Sequence, residues 1–456
     1  MFRTNQPIYK KVQTGLLPLI IVLFFLAIFS SCKVQQGFVK VKDTNFVLNK
    51  KTYNFVGTNL WYGAYLGADA EYGNRKRLLR ELDQLQKSGI NNLRVVAASE
   101  ESDFGLPLSP PFQYKNGAYN EKLLQGLDFL LAEMGNRNLH AVLIMNNYWD
   151  WSGGMSEYVS WATGEHVFDP SVNKNQTWDQ FMNFSARFYK TEEAQKRYRN
   201  YINTLVNRKN VYTNKLYKND LAIMAWELAN EPRPSQEGDA SQSVKDFSKW
   251  VDQTAAYIHS VDPNHLVTTG SEGSKGTLNK LEYAKQVHQS RYIDYITFHL
   301  WPKNWGWYKA DKPETMAVTK ENTKQYIAEH MEIAKQLDKP IVLEEIGFVR
   351  DGETFSPDSP VTARNEFFDF VLKLLHNSIK EGNSFAGLNF WGWGGEGRAQ
   401  QKDYMWKRGD ITYVADPYSE QQGLNSVYDS DKSTLDILSR YAKDLGNQSS
   451  KKEKGK

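Results

Sequence analysis

The sequence predicts an α/β fold, a (β/α)8 TIM barrel, and three observations lead to this prediction. Eight short apolar runs alternate along the chain with longer segments of helical periodicity. The runs are apolar almost throughout, as expected for parallel strands covered on both faces. The alternative, an open doubly wound sheet that binds a nucleotide, is disfavoured because no GxGxxG or GxxxxGK[ST] motif follows the first run.

Each predicted element follows from a local pattern. The β-rich runs predict strands, and these span residues 54–60, 91–96, 139–145, 221–227, 265–269, 294–299, 340–345 and 385–391. Helices are predicted where apolar residues recur at helical spacing, as Leu78, Leu82 and Leu85 do before Gly89. They span residues 75–88, 121–135, 192–207, 243–259, 318–336 and 363–380. Residues 38–53, "FVKVKDTNFVLNKKTY", predict a short β-hairpin that closes the bottom of the barrel.

The first 31 residues predict a signal peptide of the lipoprotein type. Three basic residues precede an uncharged run over 16–29, which is shorter than the roughly 20 residues that span a bilayer. Cys32 follows this run and two serines and resembles the acylated cysteine of a bacterial lipobox, although Phe29 stands where Leu is usual. We therefore expect an exported lipoprotein at the outer membrane or in the periplasm. The alternative is a secreted protein in which Cys32 is incidental.

Charge and composition limit the partners and the domain count. The formal net charge of +3 belongs to the signal peptide, so the mature chain is balanced and predicts no nucleic-acid partner. The single cysteine excludes an internal disulfide and a thiolate metal site. No composition break marks a second domain, so we expect a monomer with one barrel. The predicted boundaries are 32–53 for the N-terminal lead and hairpin, 54–447 for the barrel and 448–456 for a charged flexible tail.

Polar and aromatic residues gather at the carboxyl ends of the predicted strands, where barrels carry their catalytic groups. These residues are Asn59, Trp61, Arg94, Asn230, Glu231, His299, Glu345 and Trp391. Glu231 and Glu345 belong to strands on opposite sides of the opening, and glycosidases need such a facing pair of carboxyl groups. Structural alternatives remain: a strand-end carboxylate can cap a helix, His299 can be a core histidine, and Arg94 a barrel ion pair.

Tryptophan has an uneven distribution that points to the same rim. Eight of the thirteen tryptophans fall at or just after predicted strand ends, namely Trp61, Trp149, Trp151, Trp301, Trp305, Trp307, Trp391 and Trp393. Exposed aromatic planes suit the apolar faces of sugar rings. The pattern predicts a carbohydrate-binding cleft, with some of the eight expected to buttress loops instead.

Four stretches in fixed order make the chain resemble glycoside hydrolase family 5, with the spacing of its β-mannanase subfamily. They are "WELANEPRP", "FHLWP", "IVLEEIG" and "NFWGWGG", and the resemblance runs from about 54 to about 400. It implies a retaining hydrolase of internal β-1,4-mannosidic bonds in mannan, glucomannan or galactomannan, with no cofactor and no metal. A β-1,4-glucanase or exo-β-mannosidase on the same scaffold remains an alternative. A non-catalytic glycan-binding lipoprotein is a further one.

The resemblance assigns roles residue by residue. It makes Glu231 the general acid/base and Glu345 the nucleophile. It implies that Asn230 binds the sugar 2-hydroxyl, that Trp391 forms the floor under that sugar, and that His299 steadies the sugar or the acid/base. The remaining residues expected to bind substrate are Arg94, Trp61, Asn147, Trp149, Trp301 and Trp393. Asn59 and Asn147 have turn formation as an alternative role.

Three local expectations follow from the residues around the two carboxylates. Trp226 and its apolar strand should raise the pKa of Glu231, whereas Arg94 should keep Glu345 charged. Glu344 should point away from the pocket, because adjacent strand residues face opposite sides. Trp301 stands where many family members have a tyrosine that contacts the nucleophile, so it is open whether Tyr295 or a water takes that role.

Overall fold

The structure is a computed structural model that describes residues 1–2 and 37–451. Except for residues 1–2, the predicted signal peptide lies outside the described residues, as does Cys32. The fold is that of the larger of two compact units, Gly37–Lys456. No helix in the described part of the chain combines the length and the apolar character needed to cross a membrane.

A small antiparallel sheet lies at the N-terminus. It consists of β1 (Lys40–Lys42), β2 (Asn45–Leu48) and β3 (Lys51–Thr52), so the predicted hairpin gains a third short strand. Phe46 of β2 is fully buried and packs edge-on against Tyr295, with ring centroids 5.3 Å apart. Val39 and Phe46 share one apolar cluster with Val142 and Leu266 of the barrel. The sheet therefore plugs the amino-terminal end of the barrel strands, as predicted.

Eight parallel strands form the nearly closed barrel, which confirms the predicted fold class. They are β4 (Phe55–Asn59), β5 (Asn92–Val96), β6 (His140–Ile144), β7 (Ile223–Glu227), β8 (Leu266–Thr268), β9 (Ile296–Leu300), β10 (Ile341–Ile346) and β11 (Phe385–Phe390). The first and last barrel strands, β4 and β11, are paired. Between β8 and β9, the Asp294 amide donates to the Val267 carbonyl at 2.9 Å. Every residue of the eight strands is buried, which explains why their sequences do not alternate.

Helices cover the outside of the barrel and include the six that were predicted. The α-helices are Gly63–Gly67, Arg75–Lys87, Glu121–Asn136, Gly154–Thr163, Trp178–Ala186, Glu192–Val206, Ala240–Val261, Leu281–His288, Thr315–Leu337, Thr362–Glu381 and Lys432–Lys451. Single 3-10 turns occur at Asp150–Ser152, Arg187–Lys190, Tyr217–Asn219 and Asp351–Glu353. The last helix enters the predicted tail 448–456, of which residues 452–456 lie outside the described part.

A long irregular segment follows the last barrel strand. Short strands β12 (Trp393–Gly395) and β13 (Val427–Tyr428) pair with each other and bring the two ends of this segment together. The intervening residues, 396–426, contribute to the wall of the cleft described below. The other wall-forming insertion lies between β6 and β7 and begins its helix Trp178–Ala186 with a capping box of Thr177 and Gln180.

Candidate active site

The carboxyl ends of the barrel strands bring the predicted catalytic residues to one rim. Glu345 lies in β10, His299 in β9 and Arg94 in β5. Glu231 follows β7 by four residues, and its amide donates to the Gly270 carbonyl at 2.9 Å, which extends the pairing beyond β8. A cleft of about 750 Å³ opens at this rim.

The two predicted catalytic carboxylates face each other at the floor of the cleft. One oxygen of Glu231, one oxygen of Glu345 and one ring nitrogen of His299 lie within 4.8 Å of one another. Both glutamates line the cleft and are only 7% and 3% exposed. The oxygen separation is shorter than the roughly 6.5–9.5 Å between carboxyl groups that leaves room for a water at a sugar ring.

Three N–H groups surround the Glu345 carboxylate. Arg94 Nη1 donates to Oε1 at 2.5 Å, and Trp301 Nε1 donates to Oε2 at 3.1 Å. His299 Nδ1 lies 3.3 Å from the same Oε2. Since charged donors favour the ionised carboxylate, this arrangement suits a nucleophile.

Trp301 itself answers the question raised by the missing tyrosine. Its indole N–H makes the contact with Glu345 that the family tyrosine makes with a hydroxyl. Tyr295 does not substitute, because its hydroxyl donates to Glu344 at 3.3 Å in the interior of the barrel.

Glu231 is held by two ring N–H groups and by an unusual backbone conformation. Trp149 Nε1 donates to Oε2 at 2.6 Å, and His299 Nδ1 donates to Oε1 at 2.7 Å. The φ angle of Glu231 is +50°, in the left-handed region that residues other than glycine rarely adopt. The surroundings therefore fix both the backbone and the side chain of this residue.

The prediction that the pKa of Glu231 is raised is wrong. Burial raises the pKa, but the hydrogen bonds and charge of His299, together with Arg233 and Trp149, outweigh it and leave the pKa below its ordinary value. Trp226, which was expected to desolvate Glu231, instead donates its indole N–H to Asp262 at 2.7 Å in the core. The negative charge of Glu345 and the bond to Glu231 overcome burial and raise the pKa of His299 to about 10.

Arg94 links the nucleophile to a second, fully buried carboxylate that the sequence did not single out. Its Nε and Nη2 donate to the two oxygens of Glu227 at 2.8 and 2.6 Å. Nη1 also donates to Asn59 at 3.0 Å, and Nη2 to Asn230 at 2.9 Å. The guanidinium is therefore fixed by four side chains, and it combines the predicted contact with Glu345 and the alternative role as a barrel ion pair.

The spacing of Glu231, His299 and Glu345 also falls in the range of a metal-ligand group. However, His299 Nδ1 lies within hydrogen-bond distance of an oxygen of each glutamate, which requires a proton on that nitrogen. A protonated ring nitrogen has no lone pair for a cation. The donor set thus fits acid–base chemistry better than metal binding.

The chain is similar to proteins of one known family. A family model described as "GH family 5 beta-mannosidase-like" matches residues 36–450. The chain belongs to glycoside hydrolase family 5. It is 30% identical to mannan endo-1,4-beta-mannosidase 1 of Solanum lycopersicum over 383 residues, which are 81% of this chain and 86% of the relative.

Two solved family 5 structures have nearly the same fold. A family 5 mannosidase from Rhizomucor miehei is 35% identical, with a TM-score of 0.82, and the match covers 91% of this chain and 99% of that one. A mutant of that enzyme, in complex with mannosyl-fructose, is 34% identical with a TM-score of 0.82 over 91% of this chain and 98% of its own.

Five of the eight rim tryptophans line the family 5 cleft as predicted, namely Trp149, Trp151, Trp301, Trp305 and Trp391. Trp391 packs edge-on against Trp301, with centroids 6.0 Å apart. Trp178, from the insertion after β6, also lines the cleft and was missed by the sequence argument, because it begins a helix and does not follow a strand.

Two predicted substrate-binding tryptophans are core residues, and this part of the prediction is wrong. Trp61 is 1% exposed and donates its indole N–H to the Ala415 carbonyl at 2.8 Å. Trp393 is fully buried, and its indole N–H donates to Glu81 at 3.1 Å. Trp61 lies beneath the segment 396–426, whose course no local sequence pattern revealed, and Trp393 reaches the helix Arg75–Lys87 through Glu81.

Replacing Trp393 with phenylalanine is expected to lower stability without weakening substrate binding. The change leaves a smaller ring and removes a donor from buried Glu81, for an expected loss of about 2–4 kcal/mol in the free energy of unfolding. Trp391→Phe, two residues earlier at the cleft, is the matched control and should raise KM with little effect on stability. Urea unfolding and steady-state kinetics measure both. A KM that rises as much for Trp393→Phe as for Trp391→Phe contradicts the assignment.

Three polar residues predicted to bind substrate act from below the cleft surface instead. Arg94 and His299 are fully buried and contact the two carboxylates, so they do not line the cleft. Asn147 is also buried and accepts a hydrogen bond from Asn230 Nδ2 at 3.1 Å. Asn147 Oδ1 also accepts from the Trp149 amide at 3.1 Å, so its alternative role as a turn former holds as well. Asn230 does line the cleft.

Glu344 departs from the alternation expected of a strand. The pairing of β10 with β9 shifts between Leu343 and Glu345, so Glu344 occupies an irregularity in the register. Its carboxyl is buried, 3.9 Å from Arg94 Nε, and does not line the cleft. Strict alternation with Glu345 would place the Glu344 side chain on the outer face of the barrel. It points into the barrel interior instead. Burial, followed by the charge of Glu227, raises the pKa of Glu344 well above its ordinary value.

The cleft also contains charged residues that were not predicted from the sequence. Arg233 forms an ion pair with Glu272 and lies over the Trp149 ring, 4.7 Å from its centroid. Burial raises the pKa of Glu272 to about 7. Glu272 follows a predicted strand end, so the strand-end rule extended by a few residues finds it. The other polar residues of the lining are Asp150, Ser171, Lys174, Lys275, Asn279, Asn304, Ser419 and Glu420.

The raised pKa of His299 predicts a pH-dependent stability. Its folded pKa of about 10 exceeds the ordinary value of 6.5. The stabilisation is therefore complete below about pH 6.5 and is lost as pH rises through 10. We expect the difference in unfolding free energy between wild type and His299→Gln to shrink from pH 7 to pH 10 in urea titrations. His330→Gln is the control, because burial lowers the pKa of His330 to about 4, and its difference should stay constant above pH 7.

Proposed function

We propose that this family 5 chain is an exported, monomeric endo-β-1,4-mannanase that retains anomeric configuration. The observation that supports it most is the facing pair of Glu231 and Glu345, with oxygens within 4.8 Å across the floor of a tryptophan-lined cleft. Retaining glycosidases hold their carboxyl groups about 5–5.5 Å apart. The choice of mannan is supported by the name of the Solanum relative and by the mannosyl-fructose bound to the Rhizomucor enzyme.

In the first step, Glu345 attacks the anomeric carbon and displaces the oxygen of the neighbouring sugar. The Glu345 oxygen forms the new bond to carbon, the glycosidic C–O bond breaks, and Glu231 gives a proton to the departing oxygen. Arg94 and Trp301 orient the attacking carboxylate. Because both donors already contact it, little rearrangement is needed before attack.

The proton for the leaving group comes from the His299–Glu231 pair. In the free enzyme the lowered pKa of Glu231 and the raised pKa of His299 place this proton on the imidazole. As the Glu345 oxygen bonds to the anomeric carbon, it loses the negative charge that raised the pKa of His299 most. In the same step the proton moves along the 2.7 Å hydrogen bond to Glu231, and Glu231 protonates the leaving oxygen as the glycosidic bond breaks.

In the second step, water releases the sugar. Glu231 takes a proton from a water molecule, the water oxygen bonds to the anomeric carbon, and the bond to Glu345 breaks. The proton returns to the His299–Glu231 pair, so the enzyme regains its starting state. Two inversions at the same carbon give net retention. Asn230 binds the 2-hydroxyl and Trp391 supports the ring, since both line the cleft beside the carboxylates.

Hydrolysis of a panel of polysaccharides tests the substrate. The protein is incubated with linear mannan, glucomannan, galactomannan and carboxymethylcellulose, and the products are sized over time. An endo-mannanase gives a rapid fall in polymer length and a series of mannooligosaccharides. Release of mannose alone supports an exo-β-mannosidase instead, and release from carboxymethylcellulose supports a β-1,4-glucanase. Binding to mannan without any product supports a glycan-binding protein.

The anomer formed first tests the mechanism. Proton NMR of fresh digests of mannopentaose should show the β-anomer before mutarotation produces the α-anomer. Initial appearance of the α-anomer contradicts double displacement. Analytical ultracentrifugation of the same sample, with a mass of one chain as the expected result, tests the monomer.

We also propose that Cys32 carries the lipid anchor. It is the single cysteine and follows the predicted signal peptide directly. Metabolic labelling of cells with a palmitate analogue should mark the wild-type protein and leave Cys32→Ser unlabelled. Equal labelling of both proteins contradicts the anchor, and protease shaving of intact cells distinguishes the outer surface from the periplasm.

A further inference from the structure

Glu420 is a cleft residue to which the mechanism gives no role. Its half-buried side chain lines the same cleft as Glu231 and Glu345. The other acidic residues of the lining have partners, since Glu272 binds Arg233 and Asp150 accepts a hydrogen bond from the Ser171 hydroxyl. The Glu420 carboxyl makes no hydrogen bond or ion pair with any residue that the structure describes.

The backbone around Glu420 is held in place by one side chain. Gln422 Nε2 lies within hydrogen-bond distance of three carbonyl oxygens, those of Asp416 at 3.0 Å, Pro417 at 2.9 Å and Glu420 at 3.2 Å. The Glu420 amide donates to the Pro417 carbonyl at 3.0 Å. The turn from Asp416 to Gln422 is therefore closed by its own hydrogen bonds, which limits where the carboxyl of Glu420 can reach.

Two further contacts fix this turn to the rest of the segment. The buried Asp416 carboxylate accepts three hydrogen bonds, from Gly423 N, Asn425 N and Ser426 Oγ, at 2.8, 2.7 and 2.6 Å. Tyr418 stacks on Trp406 with ring centroids 3.8 Å apart and planes 7° from parallel. Binding groups held this way lose little entropy when a ligand arrives.

Barrel topology places Glu420 on the nucleophile side. The segment that carries it follows β11, and β11 pairs with β10, which contains Glu345. Glu231 follows β7, on the other side of the barrel. Since the leaving group departs toward the acid Glu231, the glycone sugars, which remain bonded to the nucleophile, lie on the side of Glu420.

We propose that Glu420 is a substrate-binding residue that holds hydroxyl groups of a mannosyl unit on the glycone side of the cleaved bond. This inference rests on the proposed function and adds a residue that selects among its substrates. A carboxyl group offers two oxygens to the neighbouring hydroxyls of a sugar ring. Burial raises the pKa of Glu420 to about 8, so at neutral pH the group also has a proton to donate and adds no repulsion to Glu231 and Glu345.

An aryl glycoside isolates the glycone side. In 4-nitrophenyl β-mannobioside both sugars lie on that side, because nitrophenol is the leaving group. Glu420→Ala is expected to lower kcat/KM on this substrate about 10- to 100-fold, the effect of losing hydrogen bonds to a bound sugar. Glu420→Gln should stay within about fivefold of wild type, because the amide keeps one donor and one acceptor. The matched control is Asp403→Ala, an exposed residue of the same segment outside the cleft, which should equal wild type.

The outcomes separate this inference from the proposed function. Thermal unfolding must give similar midpoints for wild type, Glu420→Ala and Glu420→Gln, which shows that the segment is intact. If wild type hydrolyses the mannobioside and Glu420→Ala stays within twofold of it, the inference is overturned and the proposed function stands. The inference is also overturned if Glu420→Gln loses as much as Glu420→Ala. If wild type hydrolyses no mannoside, the proposed function fails and the inference with it.

Discussion

Glu345→Gln is expected to lower kcat by at least about 10³-fold while the protein still folds and binds mannooligosaccharides. The amide cannot form the glycosyl ester, so the covalent step is lost. A stability cost of about 1–3 kcal/mol should accompany it, because the amide NH2 must face one of the donors that now meet oxygen, Arg94 on one side or Trp301 on the other. Steady-state kinetics measure kcat, urea unfolding measures the stability, and isothermal titration calorimetry measures the binding of mannooligosaccharides.

The adjacent residue provides a matched comparison. Glu344→Gln changes the neighbouring carboxyl, whose pKa is raised by burial, to an amide of similar shape. Its kcat should stay within about tenfold of wild type. The opposite result, with Glu344→Gln inactive and Glu345→Gln active, means that the nucleophile has been assigned to the wrong member of the pair.

Azide identifies the two roles independently. The substrate is an activated dinitrophenyl β-mannobioside. In Glu345→Ala, azide can occupy the space left by the carboxyl group and attack the anomeric carbon of the substrate directly, which displaces the phenolate and gives the α-mannosyl azide. In Glu231→Ala the ester still forms, azide then displaces Glu345, and the product is the β-mannosyl azide. NMR assigns each product. The same anomer from both variants contradicts the assignment of separate roles.

Arg94→Met is expected to destabilise the protein by about 3–5 kcal/mol and to remove activity. The guanidinium is the buried counter-charge of both Glu227 and Glu345, and removing one partner of a buried ion pair leaves a carboxylate without compensation. Urea unfolding measures the first effect and mannan hydrolysis the second. The double variant Arg94→Met/Glu227→Met should regain part of the stability and none of the activity, because Glu345 still lacks its donor.

A surface pair provides the control for this prediction. Arg80 and Glu396 form an equally close ion pair of 2.5 Å, but their side chains are 58% and 30% exposed. Arg80→Met should leave the free energy of unfolding almost unchanged, since water replaces the lost partner. Equal losses for Arg94→Met and Arg80→Met contradict the view that burial, and not the ion pair as such, makes Arg94 important.

The barrel and the positions of Glu231, Glu345 and Arg94 were predictable from sequence for a physical reason. Buried parallel strands have apolar sequences that can be located, and their carboxyl ends all meet at one rim. Trp61 and Trp393 obey the same rule by position, yet Trp61 is covered by residues of the segment 396–426 and Trp393 contacts buried Glu81. That covering depends on contacts such as Trp61 with Ala415, which are distant in sequence and leave no periodic signal.

Electrostatic details were the least predictable part. The pKa of Glu231 depends on His299 and Arg233, and the sequence indicated only its strand neighbour Trp226. Glu344 lies outside the cleft, as expected, but its position inside the barrel depends on a shift in strand pairing, and such a shift has no sequence signal as clear as a glycine or proline. The partnership of Glu227 with Arg94 was not predicted, although a buried glutamate in a strand needs a cation and Arg94 lies in the neighbouring part of the barrel.

The backbone of Glu231 has a consequence for attempts to make this enzyme more heat-resistant. A φ of +50° costs a glutamate about 1–2 kcal/mol, a cost that asparagine bears more easily and glycine hardly at all. Asparagine or glycine at this position relieves the conformational cost and removes the acid/base together. A screen that ranks variants by melting temperature alone will therefore favour inactive variants with asparagine or glycine at position 231. A screen that also measures turnover keeps the glutamate.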